Sequence, residues 1–308
     1  MLGVILLNYK KYSETIDCAR QLKNQIDACD RIYIVDNASG NESVETLRET
    51  FGADAQIAIL ESDRNGGFSY GNNIGFRRAV ADGCTELLCS NSDIRFDEGC
   101  VAHMRAKLAS HPEVAVVGPK IFTPDGGLQK CNKTKLTAFR FAMHHKPLVW
   151  LDVFGVNKRY GMLDYAFDRD IVFDGMVSGC YFLIRADVLE QIGYLDEGVF
   201  LYHEEDILGA KLRQRGWKVM VATDATIVHY GAGSIGAVSA FTRYCTFASA
   251  FYYLWHYANT GKCAMKLLLS WARTMFGLKS GKDPDYKKYS KQLKRDVMQL
   301  IATERITE

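Results

Sequence analysis

A short apolar run that stops abruptly at asparagine or aspartate recurs through the first third of this chain. Leu2–Leu7 ends at Asn8-Tyr9, Arg31–Val35 ends at Asp36-Asn37, and Leu87–Ser90 ends at Asn91-Ser92-Asp93. Runs this short and this apolar suit strands buried on both faces. Between them the apolar positions take helical spacing, as in Ile16, Ala19, Leu22 and Ile26. Further helices are expected over 42–51, 72–81 and 97–110, with strands at 56–60 and 114–117. Such alternation predicts an α/β fold built on a doubly wound, mainly parallel sheet. Open sheets of this kind bind ligands at the carboxyl ends of their strands, so each polar stop is a candidate site. Asn91-Ser92-Asp93 has two readings: a carboxylate holding a hard cation and through it a diphosphate, or an ordinary turn.

Composition removes several classes. The 308 residues carry a net charge of only +2, too little to argue for nucleic acid. Nine cysteines show no Cys-x-x-Cys pair, which favours buried thiols in a reducing compartment over zinc or disulfides. Met1–Leu7 lacks the basic start of a signal peptide, and no apolar run reaches the roughly 20 residues of a membrane span. A cytoplasmic protein is expected. No G-x-G-x-x-G follows the first strand and no Walker loop follows any, so a bound nucleotide needs another device.

Asp36 offers one such device, a carboxylate for a ribose or base edge, although a turn or helix cap reads equally well there. Arg64–Gly75 is more specific: Gly66, Gly67, Gly71 and Gly75, with Asn65, Asn72 and Asn73, open a helix. That glycine density permits close backbone approach to a ligand at a helix N-terminus. In their order and spacing, Asp36-Asn37-Ala38-Ser39, Asn65-Gly66-Gly67-Phe68 through Gly75, and Asn91-Ser92-Asp93 resemble the inverting family 2 glycosyltransferases of the GT-A fold. The rhamnosyltransferase-like branch of bacterial surface-polysaccharide biosynthesis looks nearest. The resemblance covers about 1–235 and implies a nucleotide-sugar half (1–118), an acceptor half (119–235) and a helical C-terminal region (236–308). It implies that Asn8, Asp36, Asn65, Gly67, Asn73, Asn91 and Asp93 meet the nucleotide sugar, with Asp93 a ligand of a divalent cation, manganese or magnesium. Asn91 stands where the family's metal element has its first acid, so this site holds its cation with one carboxylate fewer.

In 119–172, Pro124-Asp125-Gly126-Gly127 marks a turn. Basic and aromatic residues then mix from Lys130 to Trp150, read as a mobile loop over the active site. A metal site from His144-His145 is the weaker alternative. A strand over 177–185 and a helix over 186–192 follow, and Ser178-Gly179 resembles the family's segment beside the acceptor. Glu204-Glu205-Asp206 then opens a helix ended by Gly216. Acids suit a first helical turn, but three together, behind Phe200-Leu201-Tyr202, also create the conditions that turn a carboxylate into a base. By the resemblance Glu205 is the general base, with Glu204 before it and Glu204 or Asp206 able to substitute. His229, ahead of Gly231-x-Gly233-Ser234, resembles the family's metal- or diphosphate-contacting histidine.

Beyond 235, aromatic residues from Phe241 to Tyr257 and basic ones at Lys266, Arg273 and Lys279 fit two descriptions. One is helices packed on the catalytic domain or on a second subunit as a homodimer. The other is a surface touching the inner-membrane interface. The expected activity is transfer of a sugar from a nucleotide-diphosphate donor to a saccharide acceptor, lipid-linked by the same resemblance. A non-catalytic nucleotide-sugar-binding or scaffold subunit is the alternative.

Overall fold

The computed structural model describes residues 1–129, 135–143, 167–231, 239–281 and 283–306. The segment around His144-His145, Lys130, Lys133 and Trp150, and the Gly233-Ser234 pair, lie outside the described residues. Strands β1 (Leu2–Asn8), β2 (Arg31–Asp36), β3 (Ile57–Glu61), β4 (Glu86–Ser90), β5 (Ile94–Phe96), β6 (Val114–Phe122), β7 (Ile171–Phe173), β8 (Tyr181–Arg185) and β9 (Lys218–His229) join one sheet. Its order is β3-β2-β1-β4-β8-β6-β9-β5, with β7 also on β9.

The first half is parallel, as expected: β1 pairs with β2 and β4, and β2 with β3. The second half is mixed. β8 runs antiparallel to both β4 and β6, and β5 and β7 run antiparallel to β9. Three residues give no periodicity to read, which is why β5 and β7 were not expected from the sequence.

Side chains alternate across the sheet. Leu2, Val4 and Leu6 pack with α1 (Tyr12–Lys23), α2 (Ser43–Phe51) and α4 (Cys100–Ser110). Ile5, on the other face, packs with α3 (Phe68–Ala81), and α6 (Ala186–Gln191) and α7 (Glu204–Gln214) cover the same side. Helix α3 starts four residues earlier than expected, directly after Gly67. Two of its glycines serve packing rather than a ligand: a methyl at Gly71 would meet Leu7 Cδ1 at 2.4 Å, and one at Gly75 would meet Ile5 Cγ2 at 2.7 Å.

The C-terminal helices α8 (Ala240–His256), α9 (Lys262–Lys279) and α10 (Asp285–Leu300) enclose a core of their own. Phe247 lies in it against Phe276, Trp271 and Phe141 of α5 (Ala138–Met143). Ser249 of α8 donates to the Leu201 carbonyl at 2.8 Å, which ties this bundle to the loop before α7. Among the described residues no helix is long and apolar enough to cross a membrane.

Asn73 links the halves. Its amide donates to the Leu195 carbonyl at 2.9 Å and to Glu197 at 2.7 Å, and its oxygen accepts from the Leu195 N–H at 3.1 Å. Asn73→Ala leaves buried backbone groups without partners, each worth about 1–3 kcal/mol. The variant is expected to lose roughly 2–4 kcal/mol in urea denaturation; a loss within ~0.5 kcal/mol would remove Asn73 from this role.

Candidate active site

The site forms where β4 ends. Because β8 runs antiparallel to β4, with Ser90 opposite Tyr181, the start of β8 lies beside the end of β4. The Asn91 N–H donates to the Cys180 carbonyl at 2.8 Å, so Asn91-Ser92-Asp93 and Ser178-Gly179-Cys180 become neighbours. The chain then enters β5, whose Ile94 pairs with His229. That pairing brings Asp93 Oδ1 within 3.4 Å of His229 Nε2.

The details there are unusual. Asp93 Oδ1 is buried and has no hydrogen-bond partner. Burial opposes the charge on Asp93, and the neighbouring imidazole outweighs it, holding the carboxyl below its ordinary value. His229 Nδ1 sits 3.3 Å from Gln129 Oε1. A carboxylate oxygen and an imidazole nitrogen at that separation can share a proton or hold a cation between them. Gly231 keeps the space open, since a Cβ there would lie 2.0 Å from Asp93 Oδ2. Among the described residues no group of three or more His, Cys, Asp and Glu gathers around a possible metal position.

The acidic helix start is resolved into three different roles. Tyr202 and His203 both take positive φ, 71° and 67°, turning the chain sharply into α7. Glu204 is buried and accepts the Tyr202 N–H at 2.9 Å. Burial first, and then the Glu205 carboxylate, push Glu204 up to about 8. Asp206, also buried, is held by His203 Nδ1 at 2.8 Å. Glu205 remains the partly exposed acid, and its carboxylate lies near Gly179, where an added Cβ would be 3.8 Å from Oε2.

Three residues expected at the nucleotide are turned inward. Asn8 donates to Asp36 at 2.7 Å and accepts from Thr15 at 2.8 Å. Asp36 also accepts the Ser39 N–H and hydroxyl at 2.9 and 2.6 Å, so its carboxylate shapes the 36–39 turn and is covered by it. Asn73 is the strut described above. A polar stop at a strand end looks the same in sequence whether it meets a ligand or caps its own turn.

Asn65 and Gly67 do face open space. With Tyr9, Asn37, Phe200 and Phe241 they line a cleft of about 370 Å³ between the two halves. Asn37 donates to Asn65 Oδ1 and to the Gly67 carbonyl, both at 3.0 Å, which shapes one wall. Gly67, at φ 91°, lies so close to the Phe200 carbonyl that a Cβ would come within 2.1 Å of it. Tyr9, Asn37 and Gln129 were not among the expected site residues. Tyr9 follows the first polar stop and was within reach of the same logic; Gln129 lies just after a turn, and its side-chain partner His229 is 100 residues away.

Residues 3–193 match the model of the family described as glycosyl transferase family 2. The chain belongs to that family. It is 26% identical over 152 residues to the N-acetylglucosaminyl-diphospho-decaprenol L-rhamnosyltransferase of Mycobacterium tuberculosis, covering 49% of this chain and 48% of that protein. It is 26% identical over 206 residues to the low-salt glycan biosynthesis hexosyltransferase Agl10 of Haloferax volcanii, covering 66% and 59%. The chain thus spans about half the length of the curated relatives it matches. Among solved structures, the mannosyltransferase PcManGT from Pyrobaculum calidifontis, in complex with GDP-Man and Mn2+, aligns with TM-score 0.54 at 13% identity over 98% of this chain and 86% of that one. TarS 1–349 of S. aureus aligns with TM-score 0.52 at 12% identity, over 97% and 80%. Likeness at that identity establishes a shared GT-A fold, which this family 2 chain builds with a mixed sheet and three C-terminal helices.

Glu204 makes stability depend on pH. Its folded value lies above its unfolded one, so the folded state keeps a proton that the unfolded chain has lost. Stability therefore falls as pH rises from the ordinary carboxylate range to about 8, then levels off. Glu204→Gln is expected to match wild type near pH ~4 and to exceed it above pH ~8 in chemical denaturation. A wild-type slope that the glutamine variant reproduces would show that Glu204 is ionised in the fold.

Proposed function

We propose that this protein transfers a sugar from a nucleotide-diphosphate donor to a hydroxyl of a saccharide acceptor, with inversion at the anomeric carbon. The observation that carries the reading is the meeting of Asp93 and His229, 136 positions apart in sequence, at the carboxyl rim of the sheet. Asn65 and Gly67 border the cleft that would receive the nucleotide, and Asn91 lies at the donor end of the same rim. Glu205 takes the proton of the acceptor hydroxyl as that oxygen attacks the anomeric carbon and the bond to the diphosphate breaks. Glu204, protonated beside it, leaves a single negative charge on the pair. Ser178-Gly179 flanks the acceptor.

Asp93 and His229 are the residues that would hold a divalent cation, manganese or magnesium, whose chemistry there is to offset charge on the leaving diphosphate. The unpartnered Asp93 Oδ1 and the space kept by Gly231 fit such an ion, and two protein ligands suit one that also binds diphosphate and water. Structures with this fold were solved with Mn2+. The acceptor is proposed to be lipid-linked, in keeping with the decaprenol in a relative's name. The setting is then synthesis of capsule, O-antigen or exopolysaccharide on the cytoplasmic face of a membrane.

Glu205→Gln is expected to lower transfer by about 10²–10⁴-fold while nucleotide affinity, measured by calorimetry, stays within about threefold. Unchanged transfer would take the base role from Glu205. A thermal-shift screen of nucleotide diphosphates with manganese should show a cation-dependent rise in Tm that Asp93→Asn abolishes. A rise that survives in the variant would place the cation elsewhere.

A further inference from the structure

The outer side of α9 has a chemistry of its own. No Asp or Glu occurs between Asp224 and Asp283, while α9 carries Lys262, Lys266, Arg273 and Lys279. Met265, Leu269, Ala272 and Phe276 form its buried stripe. At 100° per residue, Leu267 and Leu278 fall near the middle of the opposite side, and Lys262, Lys266 and Arg273 along one rim, where that side meets the buried stripe. Those two leucines are 69% and 75% exposed, the most exposed large apolar side chains among the described residues.

We propose that this face of α9 docks on an anionic lipid bilayer. The helix lies in the interface plane, with Leu267 and Leu278 at the acyl boundary and the basic rim among lipid phosphates. Charge complementarity selects this occupant. An isologous contact with a second copy would set one acid-free basic helix against another, at a repulsive cost. The location also fits: Trp271 of α9 packs on Phe141 with ring centroids 6.3 Å apart, and Phe141 packs on His203 at 6.4 Å, beside Glu204. A docked α9 therefore holds the acid helix close to the bilayer. The biological purpose rests on the proposed lipid-borne acceptor, whereas binding itself is measured without any sugar.

The test is flotation of the full chain with vesicles of phosphatidylcholine alone, or with about one third phosphatidylglycerol. Binding is expected only to the anionic vesicles, and to fall as salt rises from roughly 0.1 to 0.5 M. Lys266→Gln with Arg273→Gln should weaken partition about 30-fold, and Leu267→Ser with Leu278→Ser by about tenfold or more. Donor hydrolysis should be unchanged in both variants. Equal binding to neutral vesicles, no binding, or wild-type binding by the charge variant overturns the proposal. So does a dimer in analytical ultracentrifugation that the serine variant dissolves, since a second copy would then cover the face. Failure of the transferase reading looks different: no donor turnover in any form, with vesicle binding intact.

Discussion

The direction of one strand governs the site. β8 is inserted antiparallel between β4 and β6, so its first residues, not its last, stand beside the end of β4. A parallel strand in that position would carry Ser178-Gly179-Cys180 to the opposite edge of the sheet, far from Asp93. The Asn91–Cys180 backbone bond records the consequence. Antiparallel pairing of β5 with β9 does the same for His229. These two antiparallel pairings bring Ser178-Gly179-Cys180, Asp93 and His229 to one rim.

The halves are then clamped by polar contacts. Asn73 holds Leu195 and Glu197 across the gap, and Gly67 and Phe68 press against the Phe200 carbonyl. Ser249 fastens the helical bundle to Leu201, one residue farther on. These attachments surround the segment that leads into the acid cluster. Its backbone, at positive φ through Tyr202 and His203, is costly for non-glycine residues and persists where neighbours determine it.

Three adjacent carboxylates survive there because each has a different environment. Glu204 is buried and keeps its proton, Asp206 is engaged by His203, and Glu205 faces the Gly179 side. Of the three, only Glu205 is partly exposed. The same division of neighbouring acids by environment underlies acid–base pairs in general.

The parallel half was legible in the sequence because burial on both faces imposes apolar runs, and crossover helices impose their own period. The order of Asp36, Asn65–Gly75 and Asn91–Asp93 was legible as a family pattern for the same reason: local chemistry at strand ends is contiguous. What the sequence could not separate was ligand contact from self-contact. Asn8, Asp36 and Asn73 carry the residue types of a binding site, and each also has partners within the chain, Thr15, Ser39 and Leu195 among them. Nor could it reveal the reversed strands, since strand direction is set by pairing across the sheet and leaves no mark on periodicity. The chain's own residues thus determined its elements and the chemistry at their ends. Only the tertiary fold decided which of those ends meet, because hydrogen-bonded register, unlike burial, is a property of two segments at once.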